Sequence, residues 1–260
     1  MPKNEFQKLK GIGISSAAIM KDGKVLYWPN NTKWNGIDLG EILKDFYNIP
    51  IIYEDDANSA AVGEFSYLRK NEINTNSMIF ITLGTGIGCG VILNGRLYKG
   101  ESGNAGELGH IKVAEIPRCK CGNNGCLQTV FSSTNILDDY GKYTGILSDR
   151  LEEIQFAYYA GIDGAKKVID KYATILSTTF YNLSLIWDIN DFVLGGGVSK
   201  ILPMLACCIE EKVNNLLKSH YKSIRIANSV LGEWGGVYGA LVMIGRKVYG
   251  GENYYYNSDY

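Results

Sequence analysis

"HIKVAEIPRCKCGNNGCLQ", residues 110–128, holds three of the chain's six cysteines and one of its two histidines. His110, Cys119, Cys121 and Cys126 are spaced H-x8-C-x-C-x4-C. Three thiolates and one imidazole make a tetrahedral zinc set. Their softness selects zinc over magnesium or calcium. Gly122 and Gly125 flank Asn123-Asn124, so the chain can turn tightly between ligands. Four protein ligands leave no open position, and such a site is structural rather than catalytic. The competing reading is a loop with incidental cysteines and a core histidine. The other cysteines, Cys89, Cys207 and Cys208, read as small apolar fillers.

The rest of the composition bounds what such a segment can serve. A chain of 260 residues can bury a sizeable core, as one large domain or two packed lobes. Hydrophobic residues make up 46% and charged residues 20%, ordinary for a soluble globular protein. The net charge is -1 and no basic run stands out, which argues against a nucleic-acid partner. Met1 to Lys10 lacks the apolar core of a signal peptide, and no apolar stretch approaches a membrane helix of about 18 residues. A cytoplasmic, reducing setting is expected, where clustered cysteines bind metal more often than they pair.

The order of elements reads as α/β with a mixed sheet. "GIGISS" (11–16) is a buried strand, "LGEILKDFYN" (39–48) an amphipathic helix, and "IPIIYE" (49–54) a second strand. "ANSAAVGEFSYLRK" (57–70) is helical and rich in small residues. "SMIFITLGTGIGCGVILNGRLYKG" (77–100) gives strand, glycine turn and strand, then an Asn94-Gly95 hairpin and a third strand. A long helix runs from Asp163 to Asp188, with Val168, Tyr172, Leu176, Phe180, Leu183 and Trp187 as its apolar stripe. "DFVLGGGVS" (191–199) is a strand leading into another helix, and a last helix spans about 234–248. The tail "GGENYYYNSDY" reads as frayed.

Three stretches could carry chemistry. "LGTGIGCG" (83–90) follows a strand, and its amides could cradle a phosphate. It is strand, turn, strand, so neither the Walker nor the Rossmann pattern applies, and an ordinary β-turn explains it as well. "GGGVS" (195–199) joins a strand to a helix and could hold an anion or nucleotide; a plain connecting turn is the alternative. "YEDDAN" (53–58) places two acids, Asp55 and Asp56, where a buried strand ending in Glu54 meets a helix. One could be an N-cap, or one could be a general base at a strand end.

Taken together, these pieces resemble the ROK family of bacterial sugar kinases and related repressors. Its E-x-G-H stands as Glu107-Leu108-Gly109-His110. Its C-x-C-G-x-x-G-C-L stands as Cys119 to Leu127. Its N-D-A-N-x-A-A-x-G-E stands as Asp55 to Glu64, and both glycine loops match. The resemblance runs from about Gly11 to Ala240.

The resemblance implies an actin-like ATPase (ribonuclease H-like) two-lobe fold. It implies a remnant of the first lobe over 1–75, a second lobe with the zinc loop over 76–247, and a flexible tail over 248–260. It makes Asp56 the base that takes a sugar hydroxyl proton as that hydroxyl attacks ATP. Asp55, Glu107, His110 and Gln128 would touch the sugar. Gly84, Thr85 and Gly86 would hold the transferred phosphate, and Gly195, Gly196 and Gly197 the adenosine side. Magnesium would ride with the nucleotide, and zinc would fix His110.

Some positions depart from the pattern. Asp55 replaces the usual Asn, Gln128 a sugar-binding Glu, and Ala17-Ala18 a Pro-Gly or Ala-Gly pair. No D-x-G-G-T strand stands ahead of "GIGISS", so the first lobe is expected to be incomplete and "GIGIS" to lie at an exposed sheet edge. The expected function is ATP-dependent phosphorylation of a hexose or N-acetylhexosamine. The alternatives are a non-catalytic sugar sensor related to the repressors, and a gene fragment without function. The partners implied are a sugar and either a second copy or a chain supplying the absent segment.

Overall fold

The computed structural model describes residues 8–28, 31–71 and 75–250. These divide into two compact units. The first gathers 8–76, 90–105 and 233–250; the second gathers 77–89 and 106–232. The linear division at 75 and 247 therefore needs correction. The β-hairpin region and the last helix return to the first unit, because their apolar faces fit there. The tail expected at 248–260 falls mostly on 251–260, outside the described residues; residues 248 and 249 still belong to the last helix.

In the first unit, β1 (Ile12–Ser16) and β4 (Ile51–Asp55) pair in parallel, with Ile12 opposite Ile51 and Ser16 opposite Asp55. β2 (Ile19–Lys21) and β3 (Lys24–Tyr27) form a hairpin that sequence reading missed, since "IMKDGKVLY" is short. Among the described residues β1 has no strand partner but β4, and all five of its residues are half-buried. α1 (Leu39–Phe46) begins at an Asp38 N-cap, whose carboxylate accepts from the Glu41 amide at 2.9 Å. α2 (Asp56–Lys70) follows β4 directly, and nine consecutive residues, Ala57 to Phe65, are buried.

Those small residues serve a close helix crossing. α9 (Gly235–Tyr249) lies against α2. A Cβ on Gly239 would stand 1.7 Å from the Ser59 carbonyl oxygen, and one on Gly63 would stand 2.4 Å from the Gly235 carbonyl oxygen. The glycines are what let the backbones meet.

The second unit holds β5 (Met78–Leu83), β8 (Asp191–Gly195) and β9 (Arg225–Asn228), parallel and in that order. β6 (Ile87–Leu93) continues from β5, and its far end pairs with β7 (Arg96–Tyr98) in the first unit. The connecting Asn94 and Gly95 both have positive φ, 50° and 79°. That is the turn an Asn-Gly pair favours. Helices fill out this unit: α3 (Leu127–Val130), α4 (Ser133–Thr144), α5 (Leu151–Tyr159), α6 (Asp163–Trp187), α7 (Gly196–Ile201) and α8 (Met204–Leu217). On α6, Val168, Tyr172, Leu176 and Phe180 are buried, while Leu183 and Trp187 are half-buried. Each fully buried large side chain contributes about 1.5–3 kcal/mol. Phe180 stacks at 4.9 Å on Phe192 of β8, which ties helix to sheet. Cys89 is buried as a filler should be, but Cys207 is exposed and Cys208 half-buried, because α8 turns that side outward.

Candidate functional site

The cysteine-histidine loop is built by short-range backbone bonds. The Cys119 amide donates to Asn123 O at 2.7 Å, and the Gly122 amide returns to Cys119 O at 3.0 Å. Gly122 and Gly125 take positive φ, 97° and 68°. A Cβ on Gly125 would lie 1.6 Å from Ala114 O, so that position accepts only glycine.

The loop draws His110, Cys119, Cys121 and Cys126 together, with all four donor atoms within 4.8 Å of one another. His110 Nδ1 lies 3.7 Å from Cys119 Sγ, and Cys121 Sγ lies 3.6 Å from Cys126 Sγ. Tetrahedral thiolates at about 2.3 Å from zinc stand about 3.8 Å apart, so the donor set fits that ion. Burial pushes the Cys119 thiol up, but the Cys121 amide and Gln128 outweigh it and bring it down to about 6. Loss of hydration, with the Cys121 and Cys119 sulfurs alongside, moves Cys126 the other way, to about 12.

His110 ends a single helical turn, Leu108–His110. A Cβ on Gly109 would strike Ile87 O at 2.4 Å, and one on Gly106 would strike Cys89 O at 2.3 Å. These two glycines press the Glu107-bearing turn onto β6. With Nδ1 turned to the sulfurs, His110 Nε2 faces outward and sits 3.9 Å from Glu107 Oε2. Gln128, on α3, donates from Nε2 to Cys119 Sγ at 3.4 Å. Its Oε1 lies 3.2 Å from where a Gly86 Cβ would be and 3.0 Å from a Gly109 one. One amide thus touches the metal set, the histidine turn and the glycine loop.

The two glycine-rich turns also meet in this unit. Gly196 has φ +87°, and its Cβ would lie 2.4 Å from Leu83 O. Thr85 is exposed, as are Gly196 and Gly197, and nothing lies within 4 Å of a Gly197 Cβ. The Gly84 amide donates to Gly86 O at 3.0 Å and closes the turn. α7, which starts at Gly196, has only six residues, so open backbone rather than a strong helix dipole defines that end.

The acidic pair sits in the first unit. Asp55 is the N-cap of α2: Oδ1 accepts from the Ala57 amide at 2.9 Å and the Asn58 amide at 3.1 Å. Asp56 is the first helical residue, exposed and uncommitted to any cap. Asp55 reaches solvent as a residue, yet its carboxyl oxygen is packed among those amides. Loss of hydration first, and the Asp56 charge second, push Asp55 up to about 6. The two readings of "YEDDAN" are therefore compatible, with one acid capping and its neighbour free.

Sequence reading missed the support beneath this pair. Glu54 is buried; its Oε1 accepts from the Asp55 amide and Asn58 Nδ2, both at 3.1 Å. Its Oε2 pairs with Lys99 Nζ at 3.0 Å. A charged residue in an otherwise apolar strand was the available signal, but its partner is 45 positions away.

Comparison with known proteins points one way. The ROK family profile matches residues 1–247. A glucokinase of Halalkalibacterium halodurans is 34% identical over 213 residues, 74% of this chain and 62% of that protein. The xylose repressor of Bacillus subtilis is 30% identical over 236 residues, 90% of this chain and 60% of the repressor. The chain thus spans somewhat under two thirds of the length of these relatives. Among solved structures, a ROK family glucokinase from Streptomyces griseus, in complex with glucose and AMPPNP, superposes with a TM-score of 0.72 at 25% identity, covering 90% of this chain and 81% of that one. The actin-like ATPase fold anticipated from the sequence is the fold of such neighbours. The chain belongs to the ROK family.

Proposed function

We propose that this chain is a sugar kinase-like protein that phosphorylates a hexose or an N-acetylhexosamine with ATP. The observation that carries the reading is the outward Nε2 of His110 beside the Glu107 carboxylate. An imidazole held through Nδ1 keeps one tautomer and one orientation. With Nδ1 on the metal, Nε2 carries the proton and donates to a sugar hydroxyl, and Glu107 accepts from a second.

Asp56 takes the proton of the attacking hydroxyl as its oxygen bonds to the γ-phosphorus and the bond to ADP breaks. Asp55 holds the start of α2; the family likeness gives Asp55 and Gln128 each a contact with the sugar. Gly84, Thr85 and Gly86 offer amides and a hydroxyl to the transferred phosphate; Gly195, Gly196 and Gly197 face the adenosine. Magnesium bound to the nucleotide would neutralise phosphate charge. Zinc in the Cys3His set would hold the loop, and thiolate ligands suit the reducing cytoplasm.

Likeness to the xylose repressor favours a second reading, a sugar sensor without turnover. A coupled ADP-release assay over a hexose panel, paired with calorimetric sugar titration, separates them. Turnover supports the kinase; saturable sugar binding without ADP release supports the sensor; neither result sinks both. We also propose that the edge of β1, which has no second strand partner among the described residues, takes a strand from a second copy or from a chain carrying a D-x-G-G-T segment.

A further inference from the structure

A cavity of about 860 Å³ lies within the first unit, against β4, α1, α9 and the β2–β3 turn. Four lysines from four parts of the chain converge on it: Lys21, Lys44, Lys99 and Lys247. Asp22 is the acidic residue in its lining. Lys99 is held by Glu54, and Lys247 donates to Ile51 O at 3.1 Å, so two ammonium groups are fixed in place. Lys21 and Lys44 have no ion-pair partner among the described residues, and both are exposed. Tyr53 is also among the lining residues; its hydroxyl is buried and has no hydrogen-bond partner. An O–H shut away from water without an acceptor is a standing cost, which a ligand acceptor would remove.

We infer that this cavity binds a phosphate monoester. The Tyr53 hydroxyl and the ammonium groups of Lys44 and Lys21 take the phosphate, and Ile49 and Pro50 border the organic part. A phosphate monoester near pH 7 carries close to two negative charges and three strong acceptor oxygens. A ring of lysine point charges with one neutral donor answers that better than it answers a carboxylate. Loss of hydration and the nearby Asp38 charge raise Tyr53 above the usual phenol range, which keeps it a donor. Asp56, Glu107 and His110 are not among the residues that line the cavity.

The test is calorimetric titration of the purified chain with glycerol 3-phosphate, which has no sugar ring, and with inorganic phosphate. Saturable 1:1 binding of either probe is expected, weakened at least tenfold in Tyr53→Phe and again in Lys44→Gln, with neither variant melting below the parent. Tighter glycerol 3-phosphate than phosphate identifies an ester, and equal affinity identifies the free anion; both uphold the shared phosphate site. Absence of saturable binding to either probe, or affinity unchanged in both variants, overturns it.

Discussion

Gln128 Nε2 donates to Cys119 Sγ across 3.4 Å, while the same side chain's Oε1 lies beside Gly86 and Gly109. The side chain thus bridges the cysteine-histidine loop and the glycine turn at 84–86. A carboxylate at 128 cannot donate, and it would stand against a thiolate. Second-layer partners of metal ligands typically change affinity about 10–100-fold. Gln128→Glu should therefore weaken zinc retention by that order, read by competition with a chromophoric chelator. Unchanged affinity would mean that the amide–thiolate contact carries nothing.

The zinc itself is the next expectation. Purified chain should carry about one zinc per molecule by elemental analysis, given four donors within 4.8 Å. Structural zinc contributes folding free energy directly, so Cys121→Ser should melt early or aggregate. Zinc-free protein as stable as the loaded form would contradict the assignment. That these four side chains come together was legible in the sequence because they are close along the chain. The Glu54–Lys99 pair and the return of residues 90–105 and 233–250 to the first unit were not. Those contacts join distant positions, and nothing local encodes them. Local sequence did give β1, α1, α2 and α6 within a few residues, and on α6 the buried Val168, Tyr172, Leu176 and Phe180 recur at helical spacing.

Asp56→Asn should abolish any turnover while leaving sugar affinity within a fewfold of the parent. A base acts on the transition state far more than on the bound ground state. Loss of about 10²–10⁴ in kcat is the ordinary range for a general base. Full activity in the variant would remove Asp56 from its role.

Asp55→Asn has a stability signature with a definite sign. The folded carboxyl sits at about 6, above its unfolded value of about 3.9. A raised acid binds its proton more tightly when folded, so stability is greatest below about pH 4 and falls as pH rises to about 6. Asparagine can make the same N-cap bonds without charge. The variant's melting temperature should match the parent near pH 4 and exceed it above pH 6. An equal difference at both pH values would show that Asp55 pays no charge penalty there.

The last expectation concerns β1. Its residues Ile12 to Ser16 carry no charge, and among the described residues β4 is its one strand partner. An apolar edge with unpaired amides and carbonyls is a template for another strand. α9 packs so close to the strand that a Cβ on Gly13 would lie 2.6 Å from Ala240 O. The chain expressed alone should therefore run larger than 28.7 kDa in light scattering, or aggregate. A lysine at Ile14 puts a charge on the strand, the device natural edges use against pairing. Ile14→Lys should shift the species toward monomer without lowering zinc content. Co-expression with a D-x-G-G-T strand segment should give a soluble heterocomplex in place of the self-associated form. A monodisperse monomer of the parent chain that binds ATP tightly on its own would show that the edge needs no partner, and the complementing-strand proposal would fall.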